Sequence, residues 1–396
     1  MKANLKLPIV ESRANAFDVV IAVWGSTFTR VFLDVCVPNQ LTPGNIGALP
    51  VGSRYRVFTS REDVSALEAS PALQRVNETI PVDIVVMREL SSESRNRFNR
   101  LTACHRRALT EAAESHAGLI FLMADHLISE GAFAAALRRH AQGSRAIMCS
   151  GIRVNREAFV ESLEARGGVR GVPSRELVAA AMPNLHAFTH THMIHSERTS
   201  VLPIGVCWPV GTEGILARFC YLHPLLVDPP HREVLPDGTL DEHYIKRACP
   251  SRDQVHVVDN SDELQIFEMS QAEAAFTETR PGRMSRWRAA QMISRCDTHQ
   301  QSYWTQPIRI HSGDLGPSWS SVEAQSARFA DHSMKLWEAS RWLTIRYLKV
   351  RARRMAKRYS QRRMRRSLDL LTHAVGRRIH KFRKQATRAG RRVLVR

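Results

Sequence analysis

A chain of 396 residues with 43% hydrophobic side chains can fill one large core or two smaller ones. Its formal net charge of +19 is concentrated at one end: Arg341 to Arg396 carries 21 Lys and Arg against a single acid, Asp369, and the preceding residues are close to neutral. That distribution argues against a nucleic-acid binder that is basic throughout and fits a neutral globular body with a basic anchor. The seven cysteines (Cys36, Cys104, Cys149, Cys207, Cys220, Cys249 and Cys296) form no CxxC pair, and several lie in or beside apolar segments, the pattern of reduced core thiols in a cytosolic protein. Glu11, Arg13 and Asp18 interrupt the apolar character after Lys2 and Lys6, so no signal peptide is expected. No run of eighteen apolar residues is present to span a bilayer.

In chain order, FDVVIAVWG (17–25) predicts a buried strand ending at a glycine. STFTRVFLDVCVP then predicts a helix with Ser26 or Thr27 as its cap and Pro38 near its end. RYRVFTS (54–60) and DIVVM (83–87) are the second and third strands, separated by a helical stretch around Pro71. A long helix follows from Asn96 to Ser115. GLIFLM (118–123) is the fourth strand, with a helix expected from Ser129 to His140, and RAIMCSGIRV (145–154) is the fifth. This alternation predicts an α/β fold with a mostly parallel sheet flanked by helices. Further on, helices are expected over Arg156–Glu164 and Ser174–Met182 and a short strand over 255–258, with polar mixed sequence from 270 to 332 and long helices from Ser333 to near Arg392. The implied organisation is a catalytic domain over 1–265, a linking or packing segment over 266–332 and a basic helical extension over 333–396.

Several familiar chemistries lack their signatures. Trp24, Gly25 and Ser26 make one tight turn and no GxGxxG, and neither GxxxxGK[ST] nor GxSxG occurs. What remains is a set of acids and histidines at segment ends: Asp125 and His126 after the fourth strand; His223 after an apolar run; Asp237, Asp241, Glu242 and His243 in DGTLDEH; and Asp259, Asp262 and Glu263 in VVDNSDE. An Asp and a His can hold Mg²⁺ or Mn²⁺ with a diphosphate completing the shell, and a further carboxylate can deprotonate a hydroxyl.

Over residues 17 to 265 this order of elements resembles the GT-A-type glycosyltransferases, the nucleotide-diphospho-sugar transferase fold. The resemblance rests on FDVVIAVWG as the opening strand and on Asp125 after the fourth. It implies a nucleotide diphospho-sugar donor and a hydroxyl acceptor, with Trp24, Gly25 and Asp125 at the nucleotide-sugar. Asp125, His126 and His223 become the metal set for Mn²⁺ or Mg²⁺, and Asp241, Glu242, Asp262 and Glu263 the pool for a catalytic base. The sequence departs from the family's Asp-x-Asp motif, because Met123 and Ala124 precede Asp125. His126 can substitute, or the enzyme can be metal-independent.

Plainer roles stand beside each of these. Asp125 can be a helix cap, and His223 a core imidazole before Pro224. Asp241 and Glu242, or Asp262 and Glu263 ahead of a helix in ELQIFEMS, can occupy first helical turns. Trp24 can stack on a base or cover the sheet edge, and His186, His190, His192 and His195 read as structural or exposed. A nucleotidyltransferase on a related sheet and a non-enzymatic adaptor are the rival functions. In the tail, Trp337, Trp342, Tyr347, Leu348 and Tyr359 are interleaved with arginines. That composition suits an anionic membrane surface on the cytoplasmic face, ahead of nucleic acid.

Overall fold

The structure is a computed structural model that describes residues 13–90, 96–229, 234–241, 243–275 and 277–358, with side chains described to residue 341. Two compact units make up the chain, Met1–Met334 and Lys335–Arg396. The first unit contains strands β1 (Phe17–Ala22), β2 (Arg54–Thr59), β3 (Val82–Val86), β4 (Gly118–Met123), β5 (His126–Ile128), β6 (Ala146–Cys149), β7 (Gly151–Asn155), β8 (Arg198–Ser200), β9 (Gly205–Val210), β10 (Gly214–Phe219), β11 (His223–Val227), β12 (Val255–Val257), β13 (Ile266–Ser270), β14 (Thr279–Pro281) and β15 (Ile308–His311).

Seven strands form the main sheet in the order β12-β6-β11-β4-β1-β2-β3. β1, β2, β3 and β4 pair in parallel, as do β6 and β12, whereas β11 runs against both of its neighbours, β4 and β6. The sheet is therefore mixed and flanked by helices. The sequence shows its parallel core because β1 and β4 are buried along nearly their whole length, so β4, and β1 apart from the ion-paired Asp18, read as continuous apolar runs. β11 is less visible, since it reaches the middle of the sheet from some hundred residues beyond β4.

Three smaller sheets lie beside the main one: β15-β10-β9, β5-β13-β7 and β14-β8. The fifth predicted strand divides at Ser150, with β6 staying in the main sheet and β7 leaving to pair with β13. ELQIFEMS, which can read as a helix, is strand β13 instead. Ile266, Phe267 and Met269 are fully enclosed, and β13 has a pairing partner on each edge, so tertiary pairing overrides local propensity. The expected 265/266 boundary falls just before this paired strand. The segment 270–332 also holds β14, β15 and the helices Arg286–Ile293 and Thr298–Thr305.

The first helix begins at Ser26 with Gly25 as its cap and no side-chain capping bond, so neither Ser26 nor Thr27 serves as the cap. A π-helical turn, Phe32–Cys36, interrupts it before it ends at Gln40. After β4 a short turn and β5 precede the next helix, Ala132–Ala141, which starts at Gly131 in the left-handed region (φ 73°). The long C-terminal helix runs over Pro317–Arg358. In the second unit, the Arg341 guanidinium lies 5.8 Å from the Trp337 ring centroid. Trp342, Tyr347 and Leu348 have no described side chains, and Tyr359 with the rest of the basic tail lies outside the described residues. No helix among the described residues is long and apolar enough to cross a membrane.

Candidate active site at the carboxyl edge of the main sheet

The chain leaves β1 towards β2 and β3 on one side, and β4 lies on the other side of β1. The two directions part between β1 and β4, and a crevice opens at such a point beyond the carboxyl ends of the strands. Ala22 and Met123 are register partners across this junction, so Trp24 and Asp125 leave adjacent strands at the same level. Trp24 is half-buried against the core. Gly25 turns the chain at φ 84° in open space, and its N–H donates to Asp63 Oδ2 at 2.8 Å. Asp63 also accepts from Ser60 Oγ (2.7 Å) and Thr29 Oγ1 (3.2 Å), which fixes the turn.

On the other side of the junction, backbone and neighbours hold Asp125 in place. Its carbonyl accepts from Met269 N–H at 2.9 Å, and the carbonyl of Ala124 accepts from the Cys36 thiol in the π-helical turn at 3.2 Å. The side chain is half-buried. Burial, and then the negative charge of Glu268, push its carboxyl up to about 6, against smaller opposing contributions from Arg153 and Arg156.

Glu268 and Arg153 are site residues that the sequence did not reveal. Glu268 on β13 is the register partner of His126 on β5 and of Arg153 on β7, so all three side chains share one face of the small sheet. Glu268 and Arg153 form an ion pair. Arg153 Nη1 also donates to Ser270 Oγ at 3.0 Å, and its guanidinium lies 5.5 Å from the Phe188 ring centroid. Gly151 leaves the space that the Glu268 carboxylate occupies, because a Cβ there would overlap Oε1. The lone acid in an otherwise enclosed strand was the available signal, but it points to a site only once β13 is recognised as a strand.

The two histidines of the expected metal set come together, with rings in edge-to-face contact at 4.8 Å. Each already uses one nitrogen: His126 Nδ1 accepts from Met123 N–H (3.2 Å), and His223 Nε2 donates to the Phe121 carbonyl (2.7 Å). Burial lowers the pKa of both rings, so they are neutral at pH 7. His126 is fully enclosed, and its Nε2 has no hydrogen-bond partner among the described residues. Among the described residues no group of three or more His, Cys, Asp or Glu side chains is placed to hold a metal ion. Asp125, His126 and His223 therefore do not fit as a cage for Mn²⁺ or Mg²⁺.

The base pool is dispersed. Asp241 is half-buried and its charge acts on His223, and Glu242 lies outside the described residues. Asp262 is held by Arg175 Nε and Nη2, both at 2.9 Å, and Arg175 keeps its carboxyl below the usual range. Burial works to raise Glu263, but bonds from His256 and Arg139 outweigh it and bring the carboxyl down to about 2. Of the histidine-rich segment, His186 and His192 are buried and hydrogen-bonded, whereas His190 and His195 are exposed.

No protein-family model matches the chain, and no curated protein matches it. Among solved structures, it is similar to a protein assigned as a glucose-1-phosphate thymidylyltransferase from Bacillus anthracis, with 12% identity and a TM-score of 0.22 over 37% of this chain and 58% of that one. It is also similar to a mannosyltransferase from Pyrobaculum calidifontis bound to GDP-mannose and Mn²⁺, with 15% identity and a TM-score of 0.21 over 46% of this chain and 57% of that one. Both likenesses are weak. The chain spans less than two thirds of the length of either protein.

Proposed function

We propose that the chain is a glycosyltransferase that moves a sugar from a nucleotide diphospho-sugar to a hydroxyl acceptor. The observation that carries this reading is the shared level of Trp24 and Asp125 at the junction of β1 and β4, with an acid–arginine pair beside Asp125. The nucleotide would lie by the Trp24–Gly25 turn, and Asp125 would face the sugar and its diphosphate. No step is assigned to a metal, since the donors present do not fit one.

In the transfer, the acceptor oxygen bonds to the anomeric carbon as the bond from that carbon to the diphosphate oxygen breaks. The electron pair leaves with the nucleoside diphosphate, and the acceptor proton passes to a carboxylate. Asp125 would stabilise positive charge on the anomeric carbon. Glu268 is the proton acceptor we assign, with Asp241 as the other carboxylate near His223. Taking up the proton releases Arg153 from its ion pair, and its guanidinium can then meet the charge on the departing diphosphate. Asp262 and Glu263, tied to Arg175 and Arg139, serve as structural links between segments.

The test is product analysis with UDP- and GDP-sugars, set against nucleoside triphosphate plus sugar phosphate. Release of UDP or GDP from the sugar nucleotide, lost in Asp125→Asn, supports the reading. Pyrophosphate release from the triphosphate would instead identify a nucleotidyltransferase.

A further inference from the structure

Beyond the sheet edge, the helix Arg286–Ile293 presents a second chemical surface. Ala289, Ala290, Met292 and Ile293 are its buried side, and Ser285 Oγ caps it by accepting from Arg288 N–H at 3.2 Å. Arg286 and Trp287 face outwards with Gln291, and Arg295 is exposed just past the end. Trp287 is 54% exposed, although an indole of that size is usually largely covered. Arg283 is exposed in the loop just before the helix.

The loop is held rigidly from within. Arg288 donates to the carbonyls of Gly282 (2.8 Å), Arg283 (3.1 Å) and Pro281 (3.2 Å) and to Thr199 Oγ1 (3.3 Å). Gly282 sits at φ 100° directly against that guanidinium, a position that suits a residue without a side chain. One arginine thus organises the loop, whereas the guanidiniums of Arg283, Arg286 and Arg295 make no hydrogen bond or ion pair among the described residues. No acid occurs in sequence between Glu278 and Asp297. Asp297 is engaged as the cap of the next helix, and Glu197 meets the loop through its backbone carbonyl.

We propose that this loop and helix form a membrane-contacting face for anionic phospholipid headgroups. Trp287 would sit at headgroup depth, with Arg283 and Arg286 on lipid phosphates. An indole on an exposed helical face, flanked by unpaired guanidiniums, matches the chemistry of an interfacial helix. Phosphate in a nucleic-acid backbone would meet the same guanidiniums, and the outward indole among them is what favours a headgroup layer. The site is independent of the catalytic reading and distinct from the basic tail.

Hydrogen–deuterium exchange of the full chain, with and without phosphatidylglycerol vesicles, locates the contact. Slowed exchange over residues 279–295, absent with phosphatidylcholine alone, is the expected result. The triple variant Arg283→Glu/Arg286→Glu/Trp287→Ala changes only exposed side chains and should lose roughly tenfold or more in vesicle affinity. Protection confined to residues beyond 341, unchanged affinity in the variant, or protection of 279–295 by duplex nucleic acid but not by vesicles would each overturn the proposal.

Discussion

At the scale of single residues, Asp125 sets function against stability. Its carboxyl titrates near 6 in the folded protein and near 3.8 when unfolded. Below pH 4 both states hold the proton. As pH rises from about 4 to 6 only the folded state keeps it, so stability falls through that window and stays reduced above it. Asp125→Asn removes the cost and should therefore stabilise the protein at pH 7 by about 1–3 kcal/mol, after allowance for partial solvent contact. The same substitution should reduce sugar transfer by two orders of magnitude or more, on the order of the loss when one charge-stabilising group is removed. Thermal unfolding of both proteins at pH 4 and pH 7, read beside turnover, checks both halves, and a Tm for Asp125→Asn below that of the native protein at pH 7 would contradict the assignment. Asn39 acts in the opposite sense. Its buried amide accepts from Ile128 N–H (2.9 Å) and donates to the carbonyls of Ile128 (3.0 Å) and Val169 (2.9 Å), completing the bonding of β5 next to Asp125. Asn39→Ala leaves those backbone groups unpaired and should cost about 2–4 kcal/mol in urea unfolding.

At the scale of elements, the small sheet β5-β13-β7 decides where the charges meet. Gly151→Ala is the sharpest probe of it. The added methyl displaces only the mobile end of Glu268, so stability should change by less than about 1 kcal/mol. The displaced carboxylate should nonetheless lower kcat by about tenfold or more. Comparable losses in stability and turnover would assign Gly151 to packing alone. This sheet also marks the limit of what the sequence discloses. β4, and β1 beyond Asp18, are legible because enclosed strands are apolar, and Asp125 is legible because it ends such a run. Glu268 and Arg153 are not, because they meet only through a register between strands more than a hundred residues apart. The helical option for ELQIFEMS was open because local propensity contains nothing of the two strands waiting on either edge. Asp262 and Glu263 looked like available acids for the same reason: their arginine partners, Arg175 and Arg139, lie far away in sequence.

At the scale of the whole molecule, the seven cysteines are all free and buried, and burial raises the thiols of Cys36, Cys149 and Cys207. A thiol reagent at pH 8 should therefore react slowly with the native protein and count seven groups in denaturant, and a smaller count after denaturation would reveal a disulfide. The reversed strand β11 carries a different consequence, one for synthesis. The ribosome releases β4 and β6 with the slot between them vacant, and about eighty further residues must be made before β11 can fill it. At roughly 5–20 residues per second, two bare strand edges in the middle of the future sheet face the cell for several seconds. Bare edges are templates for pairing with other chains. Newly made chains should thus depend on chaperones more than their finished stability suggests, and recovery from denaturant should fall as protein concentration rises.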